Sequence, residues 1–272
     1  MRQSVLVPLD LGREADRALP VAASLARRLG GRLDVVSVTS PGIDPVHDML
    51  EVRGHARTMG VDISEINVRY DDDLVGGVLR MAAEDDAVLC CATHARGRLG
   101  ELLSRSVSAD LIRRSANALV LVGPEVVIDP RPTFTEIVAC VHGSRMTPRV
   151  VSTAAAWSRM LDAKVRLLDV VDGQADMPDA WERTKRLATT LTHLGVEMMP
   201  EVLAADDPAE AILHTAGYLG GPLLIVGAHD NAGADHPALG RVSLGVVRRS
   251  RYPVLVVPTR TTRTTRPTGT TR

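Results

Sequence analysis

The sequence predicts two consecutive α/β domains, each built on a five-stranded, doubly wound parallel sheet. Two long segments of the 272-residue chain resemble each other. Each alternates short apolar runs with amphipathic stretches, the pattern of a parallel sheet covered by helices on both faces. Apolar residues make up 45% of the chain and aromatic residues only 2%. The core must therefore be built from Val, Leu, Ala and Ile, which suits buried parallel strands.

An internal repeat indicates the domain organisation. Residues 113–122 contain RRS followed by LVLV, and 135 residues later, within 248–257, the chain reads RRS followed by VLVV. The predicted opening strand at 5–10 also recurs, at 137–142. A repeat this long indicates duplicated domains rather than solenoid units of about 20–50 residues. We expect a first domain at 1–123, a linker at 124–135, a second domain at 136–258 and a basic tail at 259–272.

In the first half, strands and helices alternate along the whole segment. Apolar residues at helical spacing within 15–29 predict a helix that Gly30 ends, because glycine readily adopts the left-handed conformation found there. Asp72 or Asp73 can cap the helix that runs to Ala83. The predicted strands are 4–9, 33–38, 63–68, 87–92 and 118–122, and further helices are expected at 45–59 and 106–114.

The second half repeats this order of elements. Thr147 followed by Pro148 predicts a capped helix start with proline at the first helical position. Asp207 followed by Pro208 predicts another helix start of the same kind. Strands are expected at 137–141, 165–171, 223–227 and 254–257, and a helix around 180–194.

Composition and charge exclude several classes of protein. With 32 basic and 33 acidic residues, the chain has no overall field that attracts nucleic acid or a membrane surface. The longest apolar runs span about six residues, whereas a membrane helix needs roughly twenty. The three cysteines, Cys90, Cys91 and Cys140, lie in strand-like runs and show no disulfide or metal spacing. We therefore expect a soluble, cytoplasmic protein with inert buried thiols and with neither a membrane nor a specific nucleic-acid partner.

One loop relates the chain to a known family. A loop with the spacing Gly, two residues, Gly, nine residues, Gly and then Ser or Thr presents backbone N–H groups and a hydroxyl to phosphate oxygens. The loop after strand four aligns with this spacing in both halves, although most of its glycines are replaced. Together with Pro8 and Asp10 after strand one, this loop makes the chain resemble the universal stress protein family in its tandem form, over residues 4–258.

The resemblance implies an adenine-nucleotide alpha-hydrolase-like fold and an ATP site in the first half. Asp10 would contact the ribose, and Pro8 and Val38 would lie beside the adenine. Arg105 stands where the family has a glycine, so its side chain would occupy or bridge the phosphate position; the alternative is a solvated loop charge. The candidate ATP-binding residues are Pro8, Asp10, Val38, Ala92, His94, Ala95, Arg105, Ser106 and Val107.

The second half departs further from the family pattern. Gly227 and Gly240 are kept, but Asp230 places a negative charge where phosphates would lie. At about 4 Å and an effective dielectric near 20, this repulsion is of order 4 kcal/mol per unit charge. Arg241 replaces the hydroxyl residue, and His142 replaces the Asp after strand one. We therefore do not expect a nucleotide in the second half.

The resemblance also implies how the two halves associate. Strand five of each half, ALVLV and PVLVV, lies at the sheet edge in this family. An exposed apolar edge must be paired or covered. Antiparallel pairing of these two strands within one chain would give an intramolecular pseudo-dimer, and further association into a homodimer stays open.

Other polar and aromatic clusters have simpler explanations. The loop at 229–236 holds two His and two Asp, but no Cys pair or HxxxH spacing supports a metal site. The aspartates at 71–73 are explained by a helix cap rather than a cation site. Trp157 and Trp181 fall in helices of the second half, where we expect them to fill the core or an interface. The Arg/Thr-rich tail at 259–272 lacks an apolar anchor, so we expect it to be disordered and solvated.

Three functions stay open at this point. The first is a regulatory stress-response binding protein, with ATP as the candidate ligand of the first half and an unidentified protein partner. The second is an interaction scaffold that has lost its ligand in both halves. The third is a weak nucleotide hydrolase, but the sequence offers no assembled base or metal-ligand set. We therefore expect no catalytic residues.

Overall fold

The computed structural model confirms the α/β alternation in both halves. It describes residues 3–9, 15–39, 45–93, 107–127, 134–192, 195–228 and 238–259. The strands are β1 (Val5–Leu9), β2 (Leu33–Thr39), β3 (Glu65–Tyr70), β4 (Val88–Ala92), β5 (Leu119–Val122), β6 (Glu136–Val141), β7 (Lys164–Val171), β8 (Met198–Ala204), β9 (Leu223–Gly227) and β10 (Val254–Val257). The helices are α1 (Ala18–Arg28), α2 (Pro45–Thr58), α3 (Leu74–Glu84), α4 (Val107–Arg114), α5 (Thr147–Leu161), α6 (Met177–Thr192), α7 (Pro208–Gly217) and α8 (Arg241–Arg249).

The strands of the described residues form one continuous sheet, in the order β3-β2-β1-β4-β5-β10-β9-β6-β7-β8. All neighbours within a half are parallel, and the strand order reverses between β1 and β4 and between β6 and β9. At the centre, β5 and β10 pair antiparallel, with Val254 opposite Leu121 and Leu255 opposite Val120. This pairing covers both apolar edges, so the predicted intramolecular pseudo-dimer is confirmed.

Helices cover both faces of the sheet and bury an aliphatic core that runs through both halves. One hydrophobic cluster lies under α1, α2, α5 and α6, and the other under α3, α4, α7 and α8. Trp157 of α5 is 5% exposed and fills the core as predicted. Trp181 of α6 is 42% exposed, because Ala180 and Thr184 face the sheet and the indole lies beside that face. No helix among the described residues has the length and apolar character to cross a bilayer.

The junction between the halves is tightly packed beyond the strand pairing. Gly123 follows β5 and lies against α8, where a Cβ would be 2.1 Å from the carbonyl oxygen of Val247. The Val127 N–H donates to the carbonyl of Arg251 at 3.0 Å. Phe134, at the other end of the predicted linker, is fully buried. The described parts of this segment therefore pack against the folded domains.

The repeat extends to a pair of capped and ion-paired helix starts. Asp73 caps α3, and its carboxylate receives two bonds from Arg114 of α4, at 2.7 and 2.5 Å. Asp207 caps α7, and Arg249 of α8 donates to both its oxygens, at 3.1 and 3.0 Å. Both predicted caps are confirmed, and each cap also ties two consecutive helices together.

These two carboxylates predict a loss of stability in acid. Hydrogen bonding from the Glu210 N–H and the Arg249 guanidinium lowers the pKa of Asp207, and the Arg114 guanidinium together with the Gly76 N–H lowers the pKa of Asp73. A lowered folded-state pKa gives stability that is present above the unfolded-state pKa and is lost as pH falls through the folded-state value. We expect Asp207→Asn to lower the melting temperature at about pH 7, and the difference from wild type to shrink at about pH 3.5.

The control for this prediction is Asp206→Asn, which removes the same charge one residue earlier from an exposed position. If Asp207→Asn lowers the melting temperature by the same amount at both pH values, the loss of stability in acid does not come from this carboxylate.

The start of α5 differs from the prediction. Thr147 is not the cap but the first helical residue, and its N–H donates to the carbonyl of Ser144 at 3.1 Å. The hydroxyl of Ser144 accepts from the Met146 N–H at 3.3 Å. The turn is therefore made by Ser144, and the Thr147 side chain is buried, with no hydrogen-bond partner for its hydroxyl among the described residues.

Candidate functional site

The described residues enclose a cleft of about 460 Å³ in the second half. It lies at the carboxyl ends of β6, β7 and β9, beside the point where the strand order reverses. Doubly wound sheets bind their ligands at this point. The volume falls within the range of roughly 300–1,000 Å³ that is usual for small-molecule sites. This cleft is the candidate functional site.

The inner wall of the cleft is apolar. It is formed by the carboxyl ends of β6, β7 and β9 and by one face each of α5 and α7. Its aliphatic side chains are Val141, Val150, Leu168, Val170, Ile212 and Val226. Such a wall suits a flat apolar group like a nucleobase, because burying that group removes apolar surface from water.

Gly227 is required for packing at this wall. A Cβ at Gly227 would lie 3.1 Å from the Cβ of Met146, tighter than about nine in ten real contacts of such an atom. The glycine therefore allows the turn before α5 to approach the end of β9. This retained family glycine has a structural reason that is independent of any phosphate.

The outer end of the cleft is the N-terminus of α8. Gly240 is the N-cap of this helix; its backbone is extended, and no side chain caps the helix. The first hydrogen bond within the helix is donated by the Leu244 N–H to the Gly240 carbonyl. The earlier N–H groups of the first turn have no partner within the helix, a geometry that favours anions. Arg241 places a guanidinium beside them, and the Ser243 hydroxyl ties the helix to β9 by donating to the Gly227 carbonyl at 2.8 Å.

A buried ion pair lies behind the mouth of the cleft. Asp169 of β7 is fully buried, and Arg183 of α6 donates to its Oδ2 at 2.6 Å. The Nδ1 atom of His142 lies 3.6 Å from the other oxygen, Oδ1. The sharp turn after His142 is made possible by Gly143, whose φ is +50°. Arg183 packs against this glycine, and its Nε atom lies 3.2 Å from where a Cβ would be. The imidazole therefore lies at the rim of the cleft, beside this ion pair.

Cys140 also lines the cleft, but its thiol is not a candidate nucleophile. Burial raises the pKa of Cys140 to about 12. It raises the pKa of Cys91 to about 12 and moves that of Cys90 well above its usual range. The reactive form of cysteine is the thiolate, which these shifts suppress. The prediction of inert buried thiols agrees with this environment.

The cleft corresponds, position by position, to the ATP site predicted for the first half. At the repeat offsets of 132 and 135 residues, seven of those candidates have counterparts that line the cleft. These counterparts are Cys140 for Pro8, His142 for Asp10, Val170 for Val38, Gly227 for Ala92, Gly240 for Arg105, Arg241 for Ser106 and Val242 for Val107. The sequence alignment of the two halves thus agrees with the placement of the strands.

The first-half site is described only in part. Pro8 lies in β1, Val38 in β2 and Ala92 at the end of β4, and β1 pairs with both other strands. Val107 begins α4. These backbone positions therefore converge on one edge of the sheet. The other candidates, Asp10, His94, Ala95, Arg105 and Ser106, lie outside the described residues, so the predicted ATP site of the first half stays a prediction.

Sequence reasoning missed several residues that shape the cleft or the corresponding position in the first half. The hydroxyls of Ser108 and Ser243 each donate to the last carbonyl of the preceding strand, at 3.3 and 2.8 Å. Their common offset of 135 residues is a signal that could have revealed them. Asp169 and Arg183 left no such signal, because their pairing depends on how α6 packs on β7.

The predicted absence of a metal site concerns the loop at 229–236, which lies outside the described residues. Within the described part of the chain, no three His, Cys, Asp or Glu side chains are grouped so as to hold a metal ion. The aspartates at 71–73 form a helix start, in which Asp71 accepts from the Asp73 N–H at 2.8 Å and pairs with Arg80.

Comparisons with known proteins agree with this architecture. The sequence profile of the universal stress protein family matches residues 1–123 and 133–258. Universal stress protein Rv2005c of Mycobacterium tuberculosis is 26% identical over 176 residues, and the alignment spans 59% of this chain and 58% of that relative. The crystal structure of a universal stress protein from Archaeoglobus fulgidus has the same fold, with a TM-score of 0.67 at 17% identity over 95% of this chain and 97% of that one. Because the family profile covers almost the whole chain in two successive copies, this chain belongs to the universal stress protein family, with two family domains in tandem.

Proposed function

We propose that this chain is a regulatory stress-response binding protein whose ligand is an adenine nucleotide. The observation that carries the proposal is the cleft of the second half, which combines an apolar wall with the start of α8, where no side chain caps the first N–H groups. The wall suits the base, and the helix N-terminus with Arg241 suits a phosphate group. The proposal assigns no catalytic step to the chain.

Two locations for the nucleotide follow from different observations. The sequence favours the first half, because Pro8, Asp10 and Ser106 match the family pattern. The geometry of the described residues favours the second half, where they form a cleft at the point of strand-order reversal. Asp172 at this cleft opposes phosphate binding, and Arg241 offsets that charge. Binding measurements on one variant for each half separate the two locations.

The prediction for the second half concerns Arg241→Glu. Hydrogen bonds between charged groups contribute about 1.5–3 kcal/mol, so reversing this charge should weaken ATP binding about tenfold or more. Isothermal titration calorimetry should show this increase in the Kd for ATP in Arg241→Glu. In the same measurement, Asp10→Ala should bind ATP with the Kd of wild type. The reverse result, with binding lost only in Asp10→Ala, would place the site in the first half.

The matched control is Arg186→Glu, which reverses a charge on the exposed face of α6 in the same half. It should leave the Kd for ATP unchanged. Equal weakening by Arg186→Glu and Arg241→Glu would show that overall charge, rather than the cleft, controls binding. Absence of saturable ATP binding in wild type would overturn the nucleotide proposal.

A ligand-free scaffold is the second candidate, favoured by large apolar side chains left in solvent. Leu50 of α2 is 64% exposed, Trp181 of α6 42% and Tyr218 after α7 77%. Such residues are enriched where proteins contact one another. A scaffold predicts no shift in melting temperature with ATP and a specific binding partner whose capture is lost in Trp181→Ala.

A further inference from the structure

Four charged side chains of the described residues lie at or behind the mouth of the second-half cleft. Asp169 and Asp172 contribute two negative charges from β7 and the residues after it. Arg183 of α6 and Arg241 of α8 contribute two positive charges. His142, which lines the cleft and contacts Asp169, lies among these groups. Protonation of His142 therefore adds one positive charge to this part of the cleft.

Asp169 offers a buried carboxylate oxygen close to the ring of His142. One carboxylate oxygen is bound by Arg183, while Oδ1 has no hydrogen-bond partner among the described residues and lies 3.6 Å from the His142 Nδ1. A proton on Nδ1 is directed to that buried oxygen, which leaves Nε2 to face ligand or solvent, because the imidazole is 73% exposed. Imidazole is the side chain whose charge changes between about pH 8 and pH 5.

Other ionisable residues near His142 in the sequence set the design of a test. Arg145 and Arg149, at the turn before α5 and in its first turn, keep their charge throughout this pH range. The sequence between β9 and α8 also holds two histidines and two aspartates, at 229–236, which lie outside the described residues. A variant at His142 itself is therefore needed to separate its proton from theirs.

We propose that His142 is a proton-dependent specificity residue of the cleft. Protonated, it strengthens the binding of a phosphate-bearing ligand, and neutral, it weakens that binding. This inference rests on the proposed function, since it names how the affinity of the same cleft is controlled. Asp169 acts through His142 and is a positioning residue.

The test uses two probes with the full chain. The methyl ester of AMP carries one negative charge that does not change in this pH range, and adenosine carries none. We expect the ester to bind about three- to tenfold more tightly at about pH 5.5 than at about pH 8, and adenosine to show no such change. His142→Gln should remove the pH dependence. His142→Lys, with a permanent charge, should bind the ester tightly at both pH values.

Two further variants sharpen the result. His55→Gln removes another His–Asp pair, in which Nδ1 lies 2.8 Å from Oδ2 of Asp16, and should keep the wild-type pH dependence. Asp169→Asn should reduce the pH dependence while retaining binding at about pH 8, with circular dichroism as the check on folding.

Three outcomes would overturn the inference. Equal affinity of wild type for the ester at both pH values, or an unchanged pH dependence in His142→Gln, would overturn the role of His142 and leave the nucleotide proposal standing. Absence of saturable ester binding at either pH would overturn both.

Discussion

Replacement of Trp157 by alanine should lower the free energy of unfolding by about 3–5 kcal/mol, the largest effect we expect from a single substitution. The indole is 5% exposed on α5, within the hydrophobic cluster under α1, α2, α5 and α6. Removing it leaves a cavity that the surrounding Val, Leu and Ala side chains can fill only in part. Urea unfolding followed by far-UV circular dichroism measures the loss.

Trp181 offers the matched control in the same half. This indole is 42% exposed, so Trp181→Ala should cost much less than Trp157→Ala. The two variants also leave one tryptophan each, and fluorescence should report a buried indole only where Trp157 remains. Equal destabilisation by the two substitutions would contradict the placement of α6 on the sheet.

The second large effect is expected at the junction between the halves. In Gly123→Ala the added Cβ would meet the Val247 carbonyl oxygen at 2.1 Å, and that atom belongs to the backbone of α8. The helix must move away from β5, and such overpacking costs about 1–3 kcal/mol. We expect a lower melting temperature and faster proteolysis at residues 124–135, measured by calorimetry and by timed trypsin digestion.

Gly54→Ala is the control for that substitution. Gly54 lies within α2, and a Cβ added there meets no atom within 4 Å. Alanine is the better helix former by about 0.5–1 kcal/mol, so this variant should be slightly more stable than wild type. Destabilisation of both variants by the same amount would show that the clash at Val247 is not the cause.

The fold was largely predictable from the sequence, because its signals are local or repeated. Short Val- and Leu-rich runs predict the strands, and the offset of 135 residues predicts two copies. Asp73 and Asp207 identify two helix starts, because each carboxylate accepts hydrogen bonds from backbone N–H groups no more than three residues ahead. Thr147 fails as a cap because Ser144, three residues earlier, already makes the turn.

The candidate site was predicted only in outline. Family spacing directed attention to Asp10 and Ser106, whereas the cleft formed by the described residues lies in the other half. His142 counted against that half when judged by residue type alone, yet it lies beside the buried carboxylate of Asp169, which Arg183 binds. Which side chains support a rim residue depends on packing between β7 and α6, and a single sequence carries no record of that packing.

The antiparallel seam between β5 and β10 has an evolutionary consequence. In a symmetric pair of identical subunits, every substitution is made twice, once in each copy. Here the two copies are encoded separately and held together by one polypeptide, so their association does not depend on protein concentration. Either copy can therefore change its ligand loop while the other preserves the shared sheet, which accounts for two loops with such different residues in a single molecule.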